Sequence, residues 1–287
     1  MVLESLANPW SAEHRPHMLL LWGIVYALTA GLLAMLLFPA GMQSIVMVAL
    51  AAGAAIPLMY NTIKYEEEKD IELPTEQKIL EHHAKAIMVF IMLFLGILAG
   101  MTILYLVLPA PTAVTLFADQ IETYKQINPV REITGYATTG GDFQKVLFNN
   151  LRVLFFCIVF SFLYGAGAIF VLSWNASVIA LAIGNVVRTE MALLASHTGA
   201  AKTAVYLKVL VIDGFSRYLL HGLLEITSYI IAALAGGIIS VAIIKKHYKS
   251  EKIEHIILDV SDLLLASFAI LILAAVVEVY ITPEVFL

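Results

Sequence analysis

Long apolar runs alternate with polar breaks along this chain. A helix crossing a bilayer core of about 30 Å needs about 20 apolar residues. Residues 18–38, 42–60, 86–108, 153–172, 218–244 and 262–281 are runs of this kind. Only Pro39, Ala40 and Gly41 separate the first two, which predicts a tight helical hairpin. Pro109 and Pro111 end the third run. Residues 176–187 are apolar but too short for an ordinary span. They either continue through Arg188 and Glu190 to about 195 or form a re-entrant piece. The pattern predicts an all-α polytopic transmembrane bundle, with six clear spans plus one short or re-entrant helix.

The polar breaks divide the chain further. Residues 1–62 read as an N-terminal transmembrane hairpin. Residues 63–85, with EEEKD at 66–70, read as a charged loop. Residues 86–287 form the remaining core, with an extra-membrane segment at 109–152. Inside that segment Phe117, Ile121, Tyr124 and Ile127 are spaced for one apolar helical face. Such a helix lies on the membrane, binds a partner or packs on its own protein. Asn128-Pro129 should end it. Gly140-Gly141 then reads as a break and Asp142 as the N-cap of a helix carrying Asn149, Asn150 and Arg152 into the next span. Gly23, Ala27 and Gly31 recur every four residues, as do Gly96 with Gly100 and Ser161 with Gly165. Small residues at this spacing let helices approach closely in lipid.

Composition agrees with the pattern. The chain is 61% hydrophobic and 14% charged, against about 25% charged in an ordinary soluble domain. This excludes disorder, a secreted disulfide scaffold and almost any soluble enzyme. A net charge of −5 implies no nucleic-acid partner. The single cysteine, Cys157, lies in an apolar run and reads as a small buried hydrophobe. The N-terminus contains Glu4 and Glu13 with no basic n-region, so it does not read as a signal peptide. Lysine and arginine are almost evenly shared between the two sides of a seven-crossing arrangement. The dense group Lys245, Lys246, Lys249 and Lys252 beside a span favours the cytoplasm, with the N-terminus inside and the C-terminus outside. If 176–195 does not cross, the C-terminal part inverts.

Charges are costly inside a bilayer and need partners or a purpose. Asp213, Arg217, His221 and Glu225 recur every four residues, followed by Ser228, and form a slowly drifting polar stripe on a continuous helix. Three readings stay open. The stripe pairs internally, or it carries protons or ions, or His221 and Glu225 bind a metal. One histidine and one carboxylate make an incomplete zinc shell, and no spacing links His82, His83 or His197 to them. Asn149, Asn150 and Arg152 open one span; Ser173, Trp174 and Asn175 close it. Asn175 reads as the cap of the short element, and Gly184-Asn185 as its interruption. These positions are caps and turns, or the ends of a broken helix lining a cavity. Glu278 reads as an outer-interface residue. No HExxH, GxSxG, Walker A or dinucleotide glycine motif is present, so no catalytic constellation or cofactor is indicated.

Three pieces occur in order: FNNLRVLFFCIVFSFLYGAG at 148–167, WNASVIALAIG at 174–184 and HGLLEITSYIIAALAGG at 221–237. Together they resemble the stage II sporulation protein M family over roughly residues 85–287, and the hairpin at 18–60 looks like an addition. The HG-x-x-E piece is the most specific. His221, Gly222 and Glu225 match it, with Asn149, Asn150, Asn175 and Gly184 behind them. The family commonly has Asn-Gly where this chain has Asn175-Ala176, so the resemblance does not imply a tight turn there. In spore formers the resemblance implies a membrane scaffold holding cell-wall remodelling enzymes during engulfment; members also occur in archaea and in bacteria that do not sporulate. It supplies no catalytic residues. The reading is a non-enzymatic integral membrane protein acting as scaffold or remodelling partner. Its partners would be membrane lipid, membrane or cell-envelope proteins, or further copies of itself. The alternative is a transporter or channel subunit using the stripe as a proton or ion path.

Overall fold

A computed structural model describes residues 9–72, 76–127, 140–162, 166–193, 209, 215–246 and 252–286. Among these residues the regular structure is entirely helical. In chain order the helices are α1 (Pro9–His14), α2 (Pro16–Leu37), α3 (Gln43–Glu72), α4 (Glu76–Val107), α5 (Ala110–Leu116) and α6 (Ala118–Ile127). They continue with α7 (Gly140–Ser161), α8 (Ala166–Leu193), α9 (Arg217–Ile244), α10 (Lys252–Val276), a π-helical turn (Val277–Ile281) and α11 (Thr282–Phe286). Seven of these segments are long and apolar enough to cross a membrane.

The first hairpin forms as the sequence predicts. Pro16 opens α2, where a missing N–H costs nothing. A short 3-10 turn, Ala40–Met42, makes the corner, and the Gln43 side chain donates to the Phe38 carbonyl at 3.0 Å. The charged stretch at 63–85 is not one loop. Most of it is helical, as the end of α3 and the start of α4. Glutamate and lysine are good helix formers, and Glu66 and Glu67 are 0% exposed because their charges meet partners on other helices.

The second half divides differently from the apolar runs. α7 ends at Ser161 and α8 begins at Ala166, ahead of Ser173, Trp174 and Asn175, which lie inside α8. The short apolar element is therefore the second half of a full-length span, Gly167–Ala192. Asn175 caps nothing; it donates back to the Val171 carbonyl at 2.9 Å, a bond compatible with the helix interior. Gly184-Asn185 does not interrupt the helix either. The helix ahead of it begins at Gly140, two residues before Asp142.

α9 lies at the centre of the bundle and is the most deeply buried of the seven spans. α4 and α8 flank the core, while α2, α7 and α10 present more surface to lipid. Phe148, Phe155, Phe160 and Phe162 of the α7 region are exposed on that lipid side. Tyr229, Phe90, Phe117 and Met47 are among the largest fully buried side chains.

The small-residue pattern is used. α2 packs on α4 with Gly23 against Gly96, and a Cβ on Gly23 would lie 2.6 Å from the Leu93 carbonyl oxygen. A Cβ on Gly96 would strike the Leu20 carbonyl, and one on Gly100 would come 2.7 Å from Ala27 Cβ. Backbones this close gain dispersion contacts that lipid cannot match. Ser161 instead lies against Gly236 of α9. Gly165 is outside the described residues.

The helix expected around Phe117–Ile127 forms as α5 and α6 and packs on its own protein. Phe117 is fully buried, and Ile121 and Tyr124 rest against the core. Ser44 of α3 fixes the corner, donating to the Leu116 carbonyl at 3.0 Å and accepting from the Asp119 N–H at 3.3 Å. Asp119, Glu122, Lys125 and Gln126 remain on the exposed face.

Candidate functional site

The HG-x-x-E motif occupies the first turns of α9. His221 and Glu225 are one turn apart, so both face the same side. Neighbouring Asn149 and Asn150 sit about 100° apart around α7. Asn150 is therefore buried while Asn149 and Arg152 are exposed. The Asn150 Nδ2 donates to Glu225 Oε1 at 2.5 Å.

The end of the last span completes the group. Thr282 donates its hydroxyl to the Val277 carbonyl at 3.0 Å, across the widened π turn. With that proton committed, the Thr282 oxygen accepts from His221 Nδ1–H at 3.2 Å. The same turn brings Glu278 close enough to Glu225 for the two carboxyls to interact. Tyr229 lies one turn deeper on α9 and is 2% exposed. Ser228 and Ser267 exchange hydroxyl-to-carbonyl bonds, both at 2.8 Å, and tie α9 to α10. Gly222 differs from the packing glycines: a Cβ there would meet no atom within 4 Å.

The stripe is thus partly assembled. His221, Glu225 and Ser228 each meet another helix or turn. Asp213 lies outside the described residues, as does the side chain of Arg217. Among the described residues no group of three His, Cys, Asp or Glu side chains is arranged to hold a metal ion. Glu278 is a member of the site rather than a bystander at the interface. Its only sequence signal is an acid near the end of an apolar run.

Two further polar clusters have no motif in the sequence. At the α4 C-terminus, the Arg188 Nη2 donates to the carbonyls of Tyr105 and Leu108, the latter at 2.6 Å. A cation there satisfies carbonyls that the helix leaves open and complements its dipole. The guanidinium also lies 4.8 Å from the Tyr105 ring centre. Tyr105 donates its hydroxyl to Asn185 Oδ1 at 2.6 Å, and its ring fills the space left by Gly184. Gly184 and Asn185 therefore join α8 to α4.

The second cluster lies at the opposite end of the bundle. His83 meets Glu66 Oε2 at 2.7 Å and Asp259 Oδ2 at 2.9 Å. Lys245 meets Glu67 at 2.7 Å and Glu68 at 3.1 Å. Burial pulls the Lys245 pKa down, but hydrogen bonds to Glu67 and Glu68 outweigh it and leave the pKa raised. Glu13 of α1 lies near Glu66; burial first, then the Glu66 charge, pushes its carboxyl up to about 7, against the pull of Lys85 and Lys69.

Fold and site together define a multi-pass helical membrane protein with an interhelical polar centre. The stage II sporulation protein M family matches residues 89–283. The chain belongs to this family. It is also similar to an uncharacterized protein of Methanocaldococcus jannaschii, 30% identical over 147 residues, covering 50% of this chain and 72% of the relative. No solved structure matches.

Proposed function

We propose that this protein is a non-enzymatic membrane scaffold that organises or remodels its surroundings through extra-membrane surfaces. The observation that supports it is the use of the motif's polar groups. Asn150, His221, Glu225 and Ser228 are engaged between α7, α9 and the last span. Bonds of this kind give a membrane bundle a fixed arrangement. The exposed face of α6, with Asp119, Glu122, Lys125 and Gln126, is the surface we assign to a membrane or cell-envelope partner. The lysine group at 245–252 puts its end in the cytoplasm by the positive-inside rule. With seven crossings α6 and the C-terminus are then outside. Cross-linking in native membranes tests the reading. A partner should be captured by the intact chain and lost with Glu122→Lys and Lys125→Glu together, at unchanged protein level. No captured partner, with the double variant harmless in cells, overturns it.

A second reading makes the stripe a proton or ion path. The closeness of Glu225 and Glu278 favours it, because a proton or ion path needs ionisable groups near one another. A pH-dependent flux in liposomes that disappears in Glu225→Gln and in His221→Ala would support this reading. Flux equal to that of protein-free vesicles would remove it.

A further inference from the structure

His83 is 1% exposed and meets carboxylates at both ring nitrogens: Glu66 at Nδ1 and Asp259 at Nε2. A neutral imidazole carries one N–H and one lone pair. It donates to one carboxylate, and its bare nitrogen then opposes the lone pairs of the other. Only the protonated ring donates to both. His83 belongs to α4, Glu66 to α3 and Asp259 to α10, so the protonated ring joins three spans.

The surroundings are mixed in charge. Glu13 from α1 interacts with Glu66, with Lys69 of α3 and with Lys85 of α4. From α9, Lys245 engages Glu67 and Glu68. α8 carries no ionisable side chain before Arg188, and α2 carries only His17 and Tyr26. On α10 itself, His255 and Asp262 are exposed.

We propose that His83 is a pH-dependent latch whose protonated ring holds α10 to α3 and α4, and whose deprotonation releases Asp259. The released partner is Asp259 rather than Glu66 for a physical reason. Asp259 is 14% exposed and regains water on leaving, whereas Glu66 is 0% exposed and would remain buried. α10 is also an outer helix, most of its surface lying outside the bundle core. It runs without a break to the turn bearing Glu278 and Thr282, roughly 30 Å away at 1.5 Å per residue. The latch therefore acts on the helix that leads into the turn bearing Glu278 and Thr282. It does not depend on the scaffold reading.

Hydrogen–deuterium exchange on the full chain in phospholipid nanodiscs tests it, at about pH 5.5 and about pH 8.5, on either side of ordinary histidine titration. Rates are corrected for the intrinsic pH dependence of exchange. Residues 252–262 should exchange about tenfold faster at the higher pH, the size of one charge-assisted hydrogen bond, while residues 86–107 stay constant. Asp259→Asn should remove the difference, because an amide can donate to the neutral ring and accept from the protonated one. Glu13→Gln should keep it. Equal exchange at both pH values in the unaltered chain overturns the latch. So does a full difference retained in Asp259→Asn, or one abolished by Glu13→Gln, which would move the titration to Glu13.

Discussion

Asn150 donates to Glu225 across the gap between α7 and α9, at 2.5 Å. The bond joins two of the three sequence pieces that carry the family resemblance. It gives Asn150 and the Glu225 of the HG-x-x-E motif one shared structural reason.

Asn150→Leu should therefore destabilise the protein where Asn149→Leu does not. The first removes the donor to Glu225, a loss of about 1.5–3 kcal/mol for a hydrogen bond to a charged group and about 0.5–1.5 kcal/mol to a neutral one. The second changes an exposed side chain. Thermal melts of the two variants in the same detergent compare them directly.

Thr282→Val should lower the melting temperature and Thr282→Ser should restore most of it. Valine has the right shape but neither accepts from His221 nor donates to the Val277 carbonyl. The expected loss is about 1 kcal/mol per bond.

Gly96→Leu should separate α2 from α4 and abolish most of the folded protein in size-exclusion chromatography. The side chain would enter the space held by the Leu20 carbonyl and Gly23. Overpacking alone costs about 1–3 kcal/mol, and here the obstacle is backbone. Gly41→Ala is the control, because a Cβ there meets nothing within 4 Å.

Glu13 gives a pH dependence of defined sign. Its folded pKa of about 7 lies above the ordinary value of 4.5. The folded state thus holds the proton more tightly. This contribution to stability is fully present below about 4.5 and is lost as pH rises through about 7. Glu13→Gln should flatten the corresponding part of a melting-temperature profile, with its largest gain above pH 7. An unchanged slope would assign the dependence elsewhere.

Much of the bundle is readable because lipid imposes a simple length rule on apolar runs. The hairpin at Pro39–Gly41, the Gly23/Gly96 packing and the amphipathic face of Phe117, Ile121 and Tyr124 all follow from local spacing. The division between α7 and α8 does not. Ser173, Trp174 and Asn175 look like a boundary in hydropathy, yet a helix accepts them when Asn175 bonds back to Val171. The candidate site was legible in His221, Glu225 and Asn150, which lie in motifs. Glu278 was not, because its role comes from a π turn and a partner far away in sequence. His83, Glu66 and Asp259 were hidden for a similar reason. Each looks like an ordinary charge near a membrane boundary until three helices bring them together.

The seam between α2 and α4 has a consequence for relatives. Gly96 and Gly100 lie inside the portion matched by the family, while Gly23 and Ala27 lie in the hairpin before it. The hairpin is thus no detachable accessory; lifting it away would open a groove of bare backbone facing lipid. A family chain lacking such a hairpin is expected to carry larger side chains at the positions of Gly96 and Gly100, or to cover them with a helix from another chain.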